Sequence, residues 1–238
     1  MSLNQKISVL DHGFVELIDY MGSDLTIVNA ARVSFNKESD WESEPDWKGH
    51  NPRTLSEKDR KLISYLAKHK HWTPFAHAQV TIRIKTPIFI RAQLGKHQVG
   101  LVMNEVSRRY VSDPPTVYFP NWRGKPTNGA KQGSEDFMPI DDAYNTVSRQ
   151  YEMCVKEALF SYEELLRLGV APEQARSVLP QGTYTEWWWT GSLAAYARVY
   201  TQRSDPHAQW EIRQYADAIS QIIAPLFPVS WKALTGST

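Results

Sequence analysis

The segment AQVTIRIK at residues 78–85 alternates strictly between apolar and polar side chains. Val80, Ile82 and Ile84 share one face, and the residues between them are polar. This period of two predicts a β-strand with one buried and one solvated face. Pro87 ends the pattern and predicts the start of a helix that carries IFIRAQLGKHQ.

Hydrophobic and turn patterns predict the remaining elements. Helical periodicity marks further segments at 23–35, 57–70, 141–168, 172–179, 190–202 and from 204 past 222. Strand patterns lie at 6–20, with a turn at 11–13, and at 116–119. Turn-rich stretches at 36–53 and 122–138 predict surface loops. Helices outweigh strands, and the strands cluster in the first half. The sequence therefore predicts one α+β domain over 1–238 with a small antiparallel or mixed sheet.

Three local patterns predict where helices begin. TLSE at 54–57 is a candidate capping box, and Pro172 suits the first position of the helix PEQARSVL. SDP at 204–206 predicts the start of the last long helix. Arg203 comes directly before it, so we expect Arg203 near the positive end of that helix.

Composition limits the possible classes of function. The net charge is +1, from 27 basic and 26 acidic residues, which gives no general attraction to nucleic acid. No apolar run is long enough to span a bilayer, and the first residues lack the apolar core of a signal peptide. Cys154 is the single cysteine, which excludes an intrachain disulfide and suits a reducing compartment. We expect a soluble, cytoplasmic protein in which Cys154 is a packed thiol and not a nucleophile.

Three arginines are candidates for an anion site. Arg109, Arg176 and Arg203 carry planar guanidinium groups, which match phosphate and carboxylate oxygens in pairs. Taken singly, each is as well explained as a solvated helix arginine. Glu105 and Arg109 are four residues apart and could simply pair on a helix.

Other motifs are weaker. HKHWTPFAH at 69–77 has three histidines but no nearby cysteine or carboxylate, so we expect no metal site, and His71 suits a helix end that faces a cleft. Neither GxGxxG nor a Walker loop is present. The three tryptophans at 187–189 suit a core, a subunit interface or ring stacking, and the interface is the favoured interpretation.

Five blocks of the sequence, in order, resemble those of the flavin-dependent thymidylate synthase family. They are YLAKHKHWTPFAH, TPIFIRAQLGKHQ, NEVSRRY, PEQARSVLP and SDPHAQWEI. The family signature is Arg-His-Arg, seven residues and then Ser. Its counterpart here is Lys96-His97-Gln98, eight residues and then Ser107, so two residues are changed and one is inserted. Lys96 keeps the charge but loses the planar fork, and Gln98 loses the charge.

The resemblance implies roles for individual residues. Positions that match nucleotide-binding residues, for the phosphate above all, are Gln93, Leu94, Gly95, Lys96, Glu105, Val106, Ser107, Arg108 and Arg109. Arg176 matches an arginine offered to the nucleotide by a neighbouring subunit. Arg203 matches the catalytic arginine that polarises the uracil ring, stabilising its developing negative charge. His207 and Gln209 lie in the matching stretch that follows, without an assigned role.

Other matching positions contact FAD in the family. They are His71, Thr73, Lys96, His97, Gln98, Asn104, Glu105, Ser192 and Arg198. Ala194 stands where the family uses a polar contact, and we hypothesise that Arg198 replaces the charge lost at Gln98. The apolar stretch VGLVM at 99–103 would then separate a flavin end from a nucleotide end.

The implied activity is reductive methylation of dUMP to dTMP, with methylenetetrahydrofolate as carbon donor and NADPH as reductant of bound FAD. The family works without a cysteine nucleophile and builds its site between the subunits of a homotetramer. Two alternatives stay open: a related flavoenzyme that makes another 5-substituted pyrimidine, such as the hydroxymethyl nucleotide, and a nucleotide-binding homologue that has lost catalysis. Neither nucleic acid nor a membrane is an expected partner. If the gene is viral, the compartment would be the host cytoplasm.

Overall fold

The alternating segment is the central strand of the sheet. The computed structural model describes residues 5–43, 53–111, 113–127 and 133–237. The strands of these residues are β1 (Lys6–Val9), β2 (Gly13–Met21), β3 (Gln79–Pro87), β4 (Leu101–Glu105) and β5 (Tyr184–Ser192). They form one antiparallel sheet in the order β1-β2-β3-β5-β4. The predicted α+β class and the antiparallel form of the sheet are confirmed.

Helices cover the buried face of this sheet. The described residues form α1 (Asp24–Arg32), α2 (Glu57–Lys68), α3 (Ile88–Leu94), α4 (Asp142–Arg167), α5 (Pro172–Ala175), α6 (Leu193–Arg203), α7 (Trp210–Ile223) and α8 (Pro228–Thr235). α7 packs on β1 and β2, and α6 packs on α7, α8 and β5. No helix among the described residues is long and apolar enough to cross a membrane.

The core lies between β3, β5 and these helices. Ile82 and Ile84 of β3 stand opposite Trp189 and Trp187 of β5, and all four are at most 1% exposed. Burying each such side chain stabilises the fold by roughly 1.5–3 kcal/mol. Trp188, between the two tryptophans, is 52% exposed because successive strand residues face opposite sides.

Two strand predictions need correction. Residues 116–119 make only an isolated bridge, between Val117 and Thr183, because prolines at 114, 115 and 120 remove backbone donors on both sides. β5 was not predicted at all, and it occupies residues 190–192, which the sequence pattern assigned to a helix. The strands are therefore not confined to the first half of the chain.

The bounds of α2, α3 and α5 also differ from the predictions. Ser56, not Thr54, is the N-cap of α2, and its hydroxyl accepts from the Asp59 amide at 3.2 Å. α3 ends at Leu94, so the segment KHQ at 96–98 lies outside it. Pro172 does open α5, but this helix is only four residues long.

The last long helix begins at Trp210 and not at SDP. The Asp205 carboxylate accepts from the His207 amide at 2.8 Å, so it caps its own turn instead of a helix. Arg203 is consequently the last residue of α6 and lies at the negative end of that helix, opposite to the expectation.

Three other predictions concern loops and the thiol. Residues 36–43 contain no helix or strand, whereas 44–52 of the same predicted loop lie outside the described residues. In the loop at 122–138, Arg123 and Phe137 form an isolated bridge, and 128–132 also lie outside. Cys154 is exposed on α4, so it is not a packed thiol within this chain.

Candidate functional site

The centre of the candidate site is Arg203 at the end of α6. Its Nε donates to Nε2 of His97 at 2.9 Å, and its Nη2 donates to the backbone oxygen of Gln93 at 3.2 Å. Its Nη1 makes no hydrogen bond within the described part of the chain. The free edge of the guanidinium is thus available to an acceptor, such as a carbonyl or phosphate oxygen.

His97 is a neutral acceptor in this arrangement. Burial, followed by the charges of Arg203 and Arg198, lowers the pKa of His97 to about 4. At neutral pH its proton is on Nδ1, because Nε2 accepts from Arg203. His97 therefore orients Arg203 without adding charge to the site.

A second chain of contacts starts at the Gln93 side chain. Its Nε2 donates to Oε1 of Gln209 at 2.7 Å, and Nε2 of Gln209 donates to Oε2 of Glu211 at 2.9 Å. Glu211 is 3% exposed and also accepts from Arg123 at 2.8 Å. Burial and the Glu211 charge raise the pKa of Tyr118, whose hydroxyl lies 3.5 Å from Glu211.

Gln93 and Arg203 open onto a cavity of about 770 Å³. Much of the rest of its lining is cationic or aromatic: Arg123, His207, Trp210 and Arg213. Glu135 is the acidic residue among the lining side chains that the structure describes. This composition suits an anionic ligand with a flat ring.

Glu105 lies in a different cavity, of about 490 Å³. One carboxylate oxygen accepts from Arg91 at 2.6 Å, and the other accepts from the Thr185 hydroxyl at 2.8 Å. Val106, Arg108 and Arg176 line the same cavity. The pairing of Glu105 with Arg109 is wrong, because Glu105 ends a strand and Arg109 pairs with Glu173 at 2.9 Å.

A third cavity, of about 450 Å³, lies between α2 and α6. His71 and Trp72 are exposed at its wall, and Lys70 and Arg198 supply two cations. Arg198 also donates to the backbone oxygen of Val99 at 2.5 Å, which ties α6 to the loop after Gln98. Flat rings beside cations fit a group that combines an aromatic ring system with phosphates, as FAD does.

The other predicted site residues lie at the surface, in the core or at a helix cap. Lys96, Gln98, Asn104 and Thr73 are exposed, and Ser107 is half-buried. Leu94 is fully buried, and the next residue, Gly95, is the C-cap of α3. The Ser192 hydroxyl caps α6 by accepting from the Ala195 amide at 3.2 Å, so it is already engaged.

Sequence reasoning missed Arg91, Arg123 and Glu211. Glu211 lies in the segment SDPHAQWEI that resembles a family block, but the resemblance implied no role for it or for Gln209. No spacing could have identified the contact of Gln93 with Gln209, since 116 residues separate them. Within the described residues, no group of three or more histidine, cysteine, aspartate or glutamate side chains is arranged to hold a metal ion.

The chain is similar to known proteins over nearly its whole length. A family model described as thymidylate synthase complementing protein matches residues 16–229. The chain is 37% identical over 228 residues to the flavin-dependent thymidylate synthase of Kosmotoga olearia, covering 96% of this chain and 92% of that one. It is 39% identical over 228 residues to the protein of the same name from Thermotoga neapolitana, covering 96% and 93%.

Solved structures with the same fold include the UMP/dUMP methylase PolB from Streptomyces cacaoi. Its crystal structure with 5-Br dUMP has a TM-score of 0.78 and 29% identity to this chain, and covers 97% of both chains. A second crystal structure of PolB, with 5-Br UMP, has the same TM-score and identity and covers 97% of this chain and 96% of that one.

Proposed function

The chain belongs to the thymidylate synthase complementing protein family, that of the flavin-dependent thymidylate synthases, and we propose that it converts dUMP to dTMP by reductive methylation. The observation that carries the proposal is the tethered Arg203. Two of its nitrogens donate to His97 and Gln93, and its free edge faces a cationic cavity. A pyrimidine carbonyl at that edge would have its developing negative charge stabilised while carbon 5 becomes nucleophilic.

FAD is the proposed cofactor, with NADPH and methylenetetrahydrofolate as co-substrates. His71, Trp72 and Arg198 would hold the flavin in the cavity between α2 and α6, together with the exposed Lys96 and Gln98. When bound, FAD supplies the hydride chemistry of the reaction. Cys154 lines none of the cavities described above, which suits a reaction that needs no thiol nucleophile.

The proposal includes a homotetramer in the cytoplasm, with each nucleotide site shared by subunits. Its support is that Arg203 and Arg176 line different cavities of one chain. Mixing Arg176→Ala subunits with Arg203→Ala subunits tests this directly. If one site takes Arg176 and Arg203 from different subunits, the two inactive variants should regain activity after they exchange subunits. If subunit exchange is demonstrated and activity does not return, both arginines act in the site of a single chain.

The activity itself is tested by weighing the nucleotide product. The purified protein is incubated with dUMP, methylenetetrahydrofolate, NADPH and FAD, and the control is stripped of flavin. We expect thymidylate only when FAD is present. A hydroxymethyl product would identify the related flavoenzyme. Nucleotide binding without any product would identify a binding protein and contradict the proposed reaction.

UMP should be offered beside dUMP as a second candidate substrate. The specific reason is that the similar protein PolB is described as a UMP/dUMP methylase and was crystallised with brominated analogues of both nucleotides. A product from UMP would extend the activity to ribonucleotides.

A further inference from the structure

Glu211 orients side chains that line the 770 Å³ cavity, although its own carboxylate is already paired. It is 3% exposed, and its carboxylate accepts from Gln209 at 2.9 Å and from Arg123 at 2.8 Å. An ionised carboxylate is an acceptor only. The amide of Gln209 must therefore turn its nitrogen toward Glu211, because the opposite orientation would place two oxygens against each other.

The orientation of the Gln209 amide in turn fixes the orientation of the Gln93 amide. With its nitrogen on Glu211, Gln209 offers only its oxygen to Gln93, so Gln93 must donate through its own nitrogen, at 2.7 Å. The same nitrogen also donates to the backbone oxygen of Phe89 in a long contact, with 3.5 Å between nitrogen and oxygen. Both donors of the Gln93 amide are thus engaged. Its Oε1 accepts no hydrogen bond from the part of the chain that the structure describes.

Gln93 and Arg203 lie side by side on the 770 Å³ cavity. Nη2 of Arg203 is 3.2 Å from the backbone oxygen of Gln93. Because Gln93 lines this cavity, its Oε1 is available as an acceptor to a ligand that also meets Nη1 of Arg203. An acceptor repels phosphate, so this pair does not suit the phosphate of a nucleotide.

We propose that Glu211, acting through Gln209, is a positioning residue that makes Gln93 an acceptor for the N3–H of a uracil ring. Arg203 then faces the neighbouring carbonyl oxygen. Uracil presents a donor at N3 beside carbonyl oxygens, whereas cytosine presents an acceptor at N3 beside an amino group. The relay selects uracil nucleotides and rejects cytosine nucleotides, because a mismatch would leave the Gln93 amide oxygen facing another acceptor inside the occupied cavity. This inference rests on the proposed function, since it places the base of the same substrate.

The test measures binding without turnover. The FAD-loaded protein is titrated with dUMP and with dCMP by calorimetry, without folate or NADPH. We expect dUMP to bind at least about 100-fold more tightly than dCMP. In Glu211→Gln the side chain can also donate, so Gln209 and Gln93 can reverse their amides. The preference for dUMP should then fall by about 10-fold or more.

Two further variants keep the test decisive. Gln93→Leu removes the acceptor but leaves Glu211 and Arg123 paired, so it should also lose the preference even if Glu211→Gln fails to fold. Glu164→Gln is the matched control, because Glu164 pairs with Arg167 on the exposed face of α4. It should bind both nucleotides as the wild type does.

The outcomes separate the two proposals. Equal binding of dUMP and dCMP by the wild type, or an unchanged preference in a folded Glu211→Gln variant, would overturn the relay even if thymidylate is formed. A preference for dUMP that depends on Glu211, in a protein that forms no thymidylate, would support the relay and reject the proposed reaction. Failure to bind either nucleotide would reject both.

Discussion

Arg203 Nε donates to His97 Nε2 at 2.9 Å, across a separation of 106 residues. The contact joins the last residue of α6 to the altered segment KHQ, which lies beyond the end of α3. Because Gln93 accepts from the same guanidinium, Arg203 is held at two of its three nitrogens. The remaining edge is oriented before any ligand arrives, which is how a fixed donor stabilises charge at low reorganisation cost.

Arg203→Lys tests this arrangement. A single ammonium group cannot donate to His97 and Gln93 and also present a planar fork. We expect kcat to fall by about 100- to 1000-fold, the size seen when one oriented donor is removed, while FAD binding stays unchanged. Steady-state kinetics and flavin titration measure the two effects. Arg149→Lys, on the exposed face of α4, is the control and should behave as wild type.

His97 should make stability depend on pH in a defined window. Burial lowers the pKa of His97 to about 4, from an ordinary value of 6.5. Between these values the unfolded chain binds a proton that the folded chain does not, so the free energy of unfolding falls as pH drops from about 6.5 to about 4. His97 is only half-buried, so we expect a loss on the order of 1 kcal/mol after solvent screening.

Urea unfolding across this pH range measures the effect. His97→Gln keeps an acceptor for Arg203 but does not titrate, so it should remove this component of the slope. His77→Gln, at an exposed position outside the cavities described above, is the control. Identical slopes in the wild type and His97→Gln would contradict the assignment.

The sequence predicted this site unevenly. β3 and α4 were predicted correctly because their periodicity is strong and long. β5 was missed because three consecutive tryptophans do not alternate in residue type, although their burial alternates. Arg203 was assigned to the wrong helix end because SDP reads as a cap, whereas Asp205 closes its own turn.

The contacts within the site are beyond what spacing can predict. Arg203, Gln93 and His97 were identified singly, through resemblance to a family. The relay from Gln93 through Gln209 to Glu211 joins α3 to α7, which lie far apart in the chain. Side-chain contacts of this kind depend on the packing of the sheet and helices, and they leave no periodic trace in the sequence.

Arg198 should contribute to flavin binding. Its guanidinium lines the cavity between α2 and α6 and holds the Val99 carbonyl next to Gln98. Arg198→Ala should weaken FAD affinity by about 10-fold, the cost of one charge-assisted contact. Fluorescence titration of stripped protein measures this, with Arg149→Ala as control. Unchanged affinity would refute the hypothesis that Arg198 replaces the charge lost at Gln98.

Arg91 should act through Glu105. Nη2 of Arg91 lies 2.6 Å from Oε2 of Glu105, and the two side chains are 35% and 27% exposed, so the pair adds little to stability. Arg91→Met removes the charge but keeps the length, and it frees the Glu105 carboxylate to rotate. We expect the KM for dUMP to rise by about 10-fold with a nearly unchanged Tm. A fall in Tm with normal KM would instead make Arg91 a structural residue.

Asp24 should stabilise the fold far from the site. Although it begins α1, its carboxylate accepts from the amides of Val229 and Ser230 in the first turn of α8, both at 2.9 Å. Phe227, the N-cap residue of α8, has no side chain that can cap it, so Asp24 takes that role from another helix. Burial raises the pKa of Asp24, which shows that its charge is held at a cost that these amides offset in part.

Asp24→Ala should therefore lower the free energy of unfolding by about 2 kcal/mol, because two amides in the first turn of α8 lose their acceptor. Asp24→Asn keeps one oxygen and should lose about half of that. Urea unfolding at neutral pH measures both, and Asp142→Ala in the exposed first turn of α4 is the control. Equal stability of the wild type and Asp24→Ala would mean that water replaces the carboxylate at α8 without loss.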